Sequence, residues 1–296
     1  MTVARRLRRF GFAVRPRGPN VDRRRQDLNL PALSTVWSVE LAYAVGLIAT
    51  DGNLSSDGRH LSIPSKDEDL LESLKRCLRL GNRITRHSSG RAIRRLQWGD
   101  RRFYEWLLSI GLTPAKSLTL GPLAVPDEYF PDFFRGCIDG DGSITTYVDR
   151  YNTFKKSTYV YTRLYVSIVS ASPRFVEWLR ASVRRLTGLA GGLTVRRSPP
   201  RNDIWCLRYA KGESLALLRW IYYSPDVPCL RRKQATASAF LVPREGPRRR
   251  GPGRPMVIYD SLPLPGRSGG TGLPGGLKNP CPQGRAGSSP ASGTIP

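Results

Sequence analysis

The stretch "FFRGCIDGDGSI", residues 133–144, sets a run of small residues directly before Asp141 and Gly142. "YAVGLIATDGNL", residues 43–54, repeats the pattern: Gly46 aligns with Gly136 and Asp51 with Asp141, 90 residues apart in each case. In the first copy Ser38 is placed to cap a helix, and Glu40 falls in its first turn, where the helix dipole favours an acid. Leu41 to Thr50 is almost wholly apolar, which predicts a helix buried on most sides. Gly46 and Thr50 are four apart, as are Gly136 and Gly140, so each pair shares a helix face. Glycine weakens a helix relative to alanine, and two such positions in one short helix need a reason. Small faces let two helix backbones approach closely, and that supplies it.

Asp51 and Asp141 close the two helices, each followed by glycine, a common helix terminator. Helices packed through their small faces bring these carboxylates to one point. The helix C-termini make that point more anionic still. A hard cation, Mg²⁺ or Mn²⁺, is predicted there, held by Asp51 and Asp141 with backbone oxygens of Thr50 and Gly140. Such an ion activates water and stabilises a leaving oxygen at phosphate. A lone Asp-Gly reads as a turn; two, each after the same kind of helix, do not. Asp139 faces Ala49 in the alignment and is expected on the helix surface or behind the metal ligands.

The duplication extends further. "HLSIPSKDEDLLESLKRCLRLGN" and "LYVSIVSASPRFVEWLRASVRRLTG" each give a short β-type run, a Ser/Pro break and an amphipathic helix. Leu70, Leu71, Leu74, Cys77 and Leu78 share one face of the first helix; Phe175, Trp178, Leu179, Val183 and Leu186 share one face of the second. "RITRHSSGRAIRRLQWGD" and "LTVRRSPPRNDIWCLRYAK" each give two strands around a polar turn, with "LQW" (96–98) aligned to "LRY" (207–209). Helical "DRRFYEWLLSIGL" and "GESLALLRWIYYS" follow, then basic segments at 113–120 and 228–237. The fold class is α+β: two α-β-β-α-β-β-α halves, residues 35–120 and 121–243, related by a pseudo-twofold. Such a monomer suits a nearly palindromic duplex.

The chain has 296 residues and a formal charge of +25. Residues 1–34 hold nine Arg against two Asp, and residues 244–296 hold eight basic residues against two acidic, leaving +12 for 35–243. A surface so basic throughout calls for a polyanion, with nucleic acid foremost. Residues 1–34 read as a flexible basic arm and 244–296 as a disordered Gly/Pro-rich tail. No run of about 20 apolar residues predicts a membrane span, and no long apolar run follows the basic N-terminus as in a secretory signal. Five widely spaced cysteines and no CxxC pair suggest reduced thiols in an intracellular, cytoplasmic protein and no structural zinc. Only His60 and His87 are present, and neither lies in a recognisable nuclease motif.

"AVGLIATDG" (44–52) and "FRGCIDGDG" (134–142) resemble the two motifs of single-chain LAGLIDADG homing endonucleases. The resemblance covers about residues 35–243. It implies that the motif helices form the central interface and that the antiparallel sheets form a saddle on the DNA major groove. It also implies that Asp51 and Asp141 bind divalent metal and each cut one strand across the minor groove. Lys116 in "TPAKS" and Lys233 in "LRRKQ" match a basic residue of family sites, with Arg231 an alternative to Lys233. Their role would be to stabilise charge on phosphate. Ser65 and Ser170 match a polar residue that organises water, although serine before a helix also reads as an N-cap. Ala49-Thr50 departs from the usual acidic-small pair, but the final Asp51 is kept.

The DNA-reading surface is expected on strands 143–148 and 158–169 and the loop between them. Tyr147, Arg150, Tyr151, Asn152, Lys155, Lys156, Tyr159, Tyr161 and Arg163 interleave aromatic rings with charge there. Arg83, Arg86, Arg94, Arg95, Gln97, Arg196, Arg197, Arg201 and Arg208 extend the candidate surface. The first hairpin of the first half is shorter, so the double-stranded target is expected to be long and asymmetric. An intron-encoded enzyme fits better than an intein. The alternatives are an intron RNA maturase and a non-catalytic DNA-binding protein.

Overall fold

A computed structural model describes residues 32–87, 92–151, 153–154, 156–197 and 199–241. The N-terminal arm, the tail, Asn152 and Lys155 lie outside the described residues, the arm except for its last three positions. The first half comprises α1 (Val39–Thr50), β1 (Asn53–Leu54), β2 (His60–Ser65), α2 (Glu68–Cys77), β3 (Thr85–Arg86), β4 (Arg94–Gly99) and α3 (Arg101–Ser109). The second comprises α4 (Phe130–Asp141), β5 (Gly142–Asp149), β6 (Tyr161–Ser170), α5 (Pro173–Thr187), β7 (Gly192–Arg196), β8 (Ile204–Tyr209) and α6 (Lys211–Ile221), followed by α7 (Arg231–Leu241). No helix among the described residues is long and apolar enough to cross a membrane.

Each half carries one four-stranded antiparallel sheet, ordered β1-β2-β4-β3 and β5-β6-β8-β7. The registers correspond residue by residue. Ile63 pairs with Leu96 and Leu61 with Trp98; Ile168 pairs with Leu207 and Val166 with Tyr209. Alternation sends these side chains to the buried face of each sheet. There α2 and α5 contribute Leu70, Leu71 and Leu74, and Phe175, Leu179 and Val183. The hairpins differ: β1 has two residues and β5 has eight.

Two local expectations change. The long hairpin strands run 142–149 and 161–170, and the basic segment 228–237 winds into α7 from Arg231. The glycines after the acids also have a different purpose. Gly142 is extended at φ −89°, so it provides no left-handed helix stop. A Cβ there would lie 2.6 Å from Ile138 Cα, and one at Gly52 would lie 2.5 Å from Ile48 O. The chain folds back on the last helical turn, and only hydrogen fits.

The interface helix α4 contains a fully buried cation. Arg135 donates to the carbonyls of Pro228 (2.7 Å) and Ile221 and to Asp132, and its guanidinium lies 5.6 Å from the Tyr43 ring. Burial raises the Asp132 pKa, and Arg135 opposes that rise. Removing the cation leaves an uncompensated buried carboxylate. Arg135→Met is expected to lower stability by about 3 kcal/mol. Adding Asp132→Asn should recover part of this in denaturant titration; no recovery would discount the ion pair.

Candidate active site

Helices α1 and α4 cross glycine to glycine. A Cβ on Gly46 would overlap the carbonyl oxygen of Phe133 and lie 2.9 Å from Gly136 Cα. A Cβ on Gly136 would overlap the carbonyl oxygen of Tyr43 and lie 3.0 Å from Gly46 Cα. Tyr43 and Phe133 each precede their glycine by three, so the contacts are reciprocal, as across a twofold axis. One turn on, Gly140 packs against Thr50. The Thr50 hydroxyl donates inward to the carbonyls of Gly46 (3.1 Å) and Leu47 (3.2 Å).

This crossing fixes the acids. Asp51 caps α1, and its Oδ2 is 3.3 Å from where a Gly140 Cβ would stand. Its carboxylate therefore lies against the last turn of α4, beside Asp141. The Asp51 pKa is pushed up to about 6, first by burial and then by the charge of Asp141; Lys233 and Lys116 oppose the rise. Asp141 keeps solvent access, yet lost hydration still raises its pKa against the same two lysines.

Each lysine stands behind one helix end. Lys116 Nζ donates to the Gly52 carbonyl, and Lys233 Nζ donates to the equivalent Gly142 carbonyl at 2.8 Å. Lys233 also donates to Ile138 O (2.6 Å) and Asp139 O (2.9 Å), which occupies all three ammonium hydrogens. Both lysines are buried. Burial pulls Lys116 down to about 8 and lowers Lys233, while the aspartates favour the charged forms. Arg231 begins α7 with its backbone N–H on Asp69 (3.3 Å). Lys233, not Arg231, is the residue that reaches the end of α4.

Ser65 and Ser170 are structural equivalents, at the ends of β2 and β6. Neither is the N-cap, because Asp67 and Ser172 take those positions. Each serine Oγ accepts the N–H of that cap residue, at 3.0 and 3.1 Å, and braces the turn. Ser65 also lines a cavity of about 300 Å³ with Asp51, Asp67 and Asp139. Asp139 is not on the helix surface. It is 2% exposed, and its Oδ2 accepts from Tyr43 Oη (2.9 Å) and Leu230 N (2.7 Å).

The outer face of the second sheet gathers many of the expected interface residues. Ser143 and Ser167 join hydroxyls at 2.9 Å, the rings of Tyr147 and Tyr165 stack at 6.2 Å, and the Arg208 guanidinium sits 3.7 Å from the Tyr165 ring. Arg163 donates to Asp149 at 2.9 Å and lies over Tyr161, while Lys156 lies 5.9 Å from the Tyr159 ring. Register puts Arg196 on the same face as Arg208. Arg150, Arg197 and Arg201 are exposed in the adjoining loops. In the first sheet, Arg95 and Gln97 share the outer face. Arg94 alternates to the other face and pairs with Glu68 at 3.6 Å. Arg86 stands opposite Arg94, so the two arginines leave the Gln97 face together. Arg83 is exposed before β3.

Two motif helices thus cross at small residues, each ends in an acid, and a buried lysine backs each end. The chain is similar to the LAGLIDADG homing endonucleases. No protein-family model and no curated protein matches the sequence. Among solved structures, the I-LtrWI LAGLIDADG homing endonuclease bound to target DNA shares 14% identity over 68% of this chain and 89% of that one, with a TM-score of 0.47. The LAGLIDADG meganuclease I-AabMI bound to uncleaved DNA shares 16% identity over 67% and 90%, with a TM-score of 0.44. For mesophilic variants of the homing endonuclease I-DmoI the values are 16%, 67%, 96% and 0.43.

Among the described residues no group of three or more His, Cys, Asp or Glu side chains is placed to hold a metal. The donor set is instead two carboxylates at converging helix ends. Burial is the first cause of the raised pKa of both, and Lys116 and Lys233 offset it only in part. Such a set fits a hard divalent ion that keeps waters and takes phosphate oxygens, rather than one enclosed wholly by protein.

Proposed function

We propose that this chain is a metal-dependent, site-specific endonuclease that hydrolyses one phosphodiester in each strand of a long asymmetric DNA duplex. In this reading it acts as an intron-encoded monomer in the cytoplasm. The observation that carries it is the meeting of Asp51 and Asp141 at the reciprocal glycine crossing, backed by Lys116 and Lys233. Asp51 and Asp141 would hold Mg²⁺, which when bound would supply charge neutralisation and activate water. Lys116 and Lys233 set fixed positive charge behind the helix ends, where charge accumulates on phosphate. Because its hydrogens are committed to carbonyls, Lys233 acts through its field rather than by direct donation. The outer sheet faces supply arginines for phosphates and aromatic-supported cations for base edges. The unequal hairpins β1–β2 and β5–β6 give the two half-sites different readers.

The test is incubation of the full-length chain with a randomised duplex library in Mg²⁺, with cut ends captured by adaptor ligation. One family of target sequences should be cut in both strands in Mg²⁺ and left intact in EDTA. Tight, salt-dependent binding without cut ends would leave a DNA-binding protein. Cutting that survives EDTA would overturn the metal role.

A further inference from the structure

Asp139 has no acidic counterpart in the first half, where Ala49 stands, and one of its carboxylate oxygens is bound to the chain just before α7. Its side chain and its main chain both grip the start of α7. Oδ2 accepts the Leu230 N–H at 2.7 Å, immediately before the helix, and its carbonyl accepts Lys233 Nζ at 2.9 Å. The Lys233 N–H in turn donates to Leu230 O at 3.0 Å. These three bonds close a ring through Asp139, Leu230 and Lys233. Tyr43 Oη, from the opposite motif helix, donates to the same Oδ2 at 2.9 Å and holds the carboxylate in place. The acid thereby satisfies a backbone donor at the N-terminus of α7, where a negative charge also meets the positive end of the helix dipole.

The first half does without this device. Lys116 arrives on a turn whose own carbonyl accepts the N–H groups of Thr119 (3.0 Å) and Leu120 (2.8 Å). That turn contains Ala115 at φ 53°, a left-handed conformation uncommon for a residue with a Cβ. The two lysines reach equivalent carbonyls by unlike supports, and only Lys233 depends on a buried carboxylate.

We propose that Asp139 is a positioning residue for the second-half site: it fixes the first turn of α7 and, through it, Lys233. The strand-cleavage consequence rests on the endonuclease reading; the structural one does not. Losing Asp139 frees the start of α7 and lets Lys233 drift from the end of α4. The effect falls on one half, so the two strands of one target lose cleavage unequally. Asparagine keeps an oxygen for Leu230 N–H and Tyr43 Oη, so Asp139→Asn preserves the support and Asp139→Ala removes it.

The test uses the full-length chain and a duplex recovered from the randomised library, with each strand carrying its own end label. Asp139→Ala should slow cutting of one strand about tenfold more than the other and accumulate nicked duplex. Asp139→Asn should restore the wild-type strand ratio. Equal slowing of both strands by Asp139→Ala, or no slowing, overturns the proposal, since a merely structural loss weakens both cuts alike. Hydrogen exchange of the DNA-free protein gives a second readout. Asp139→Ala should speed amide exchange over residues 230–236 and leave residues 113–120 unchanged; unchanged exchange at 230–236 also overturns it. If the wild type cuts no duplex, the endonuclease reading fails, and the exchange result alone decides the role of Asp139.

Discussion

Gly136→Ala and Gly46→Ala each cost more than about 4 kcal/mol of stability, although each adds only one methyl group. At both positions the new carbon meets backbone, not a side chain that can rotate away. The Gly46 Cβ would overlap Phe133 O and press on Cys137 N and Gly136 Cα, both at 2.9 Å. The Gly136 Cβ would overlap Tyr43 O and press on Gly46 Cα (3.0 Å) and Leu47 N (3.1 Å). Relief requires the helices to part. That opens a seam lined by Tyr43, Leu47, Phe133 and Cys137, all fully buried, and gaps between packed surfaces forfeit contact energy steeply. Gly212→Ala is the control. It sits in the first turn of α6 with no neighbour within 4 Å of a Cβ, so it should gain up to about 1 kcal/mol through helix propensity. Guanidinium titrations of the three variants check this. An interface alanine within about 1 kcal/mol of wild type would show that the crossing tolerates separation.

Much of this crossing is legible in the sequence, because its determinants are local and written twice. Spacing four on a helix gives the face of Gly46, and the alignment of "LQW" with "LRY" makes Leu96 and Leu207 equivalents. Their pairing with Ile63 and Ile168 is set by a register that only the folded sheets show. Spacing also separates two of the candidate interface residues: Arg94 and Gln97 are three apart on one strand and so point to opposite faces. Arg135 carries a local signal too. An arginine set among Phe133, Phe134, Gly136 and Cys137, with Asp132 one turn before it, announces a buried ion pair. Other features carry no local mark. The burial of Asp139 depends on residue 230 returning to α4 from far along the chain. The three carbonyls around Lys233 exist only once α7 forms and docks. Ser65 and Ser170 were recognisable as helix-entry residues, but a two-residue shift between cap and brace is finer than residue type resolves.

Asp51→Asn should make the metal-free protein more stable and the enzyme nearly inert, and this opposition is what distinguishes a functional acid from a structural one. The folded chain holds the Asp51 proton up to about pH 6, whereas a free aspartate gives it up near 3.8. Stability from that proton is therefore complete below pH 4 and is lost as pH rises to 6. Asparagine is spared the loss. In EDTA the variant should gain on wild type across that window, by on the order of 2–3 kcal/mol at pH 7, with the advantage vanishing near pH 4. Asp141→Asn should shift the same way, since burial raises its pKa too. Cutting should move oppositely. Each variant removes one of two carboxylates from the donor set, and a loss of about 10²–10³-fold in both strands is expected, with DNA affinity retained because the sheet faces are untouched. Denaturant titrations in EDTA and single-turnover cutting in Mg²⁺ supply the two halves of the measurement. A variant that cuts at the wild-type rate would remove Asp51 from the chemistry. One that loses stability at pH 7 would mean the carboxylate is held by bonds that favour its charge, and the converging helix ends would then need no cation.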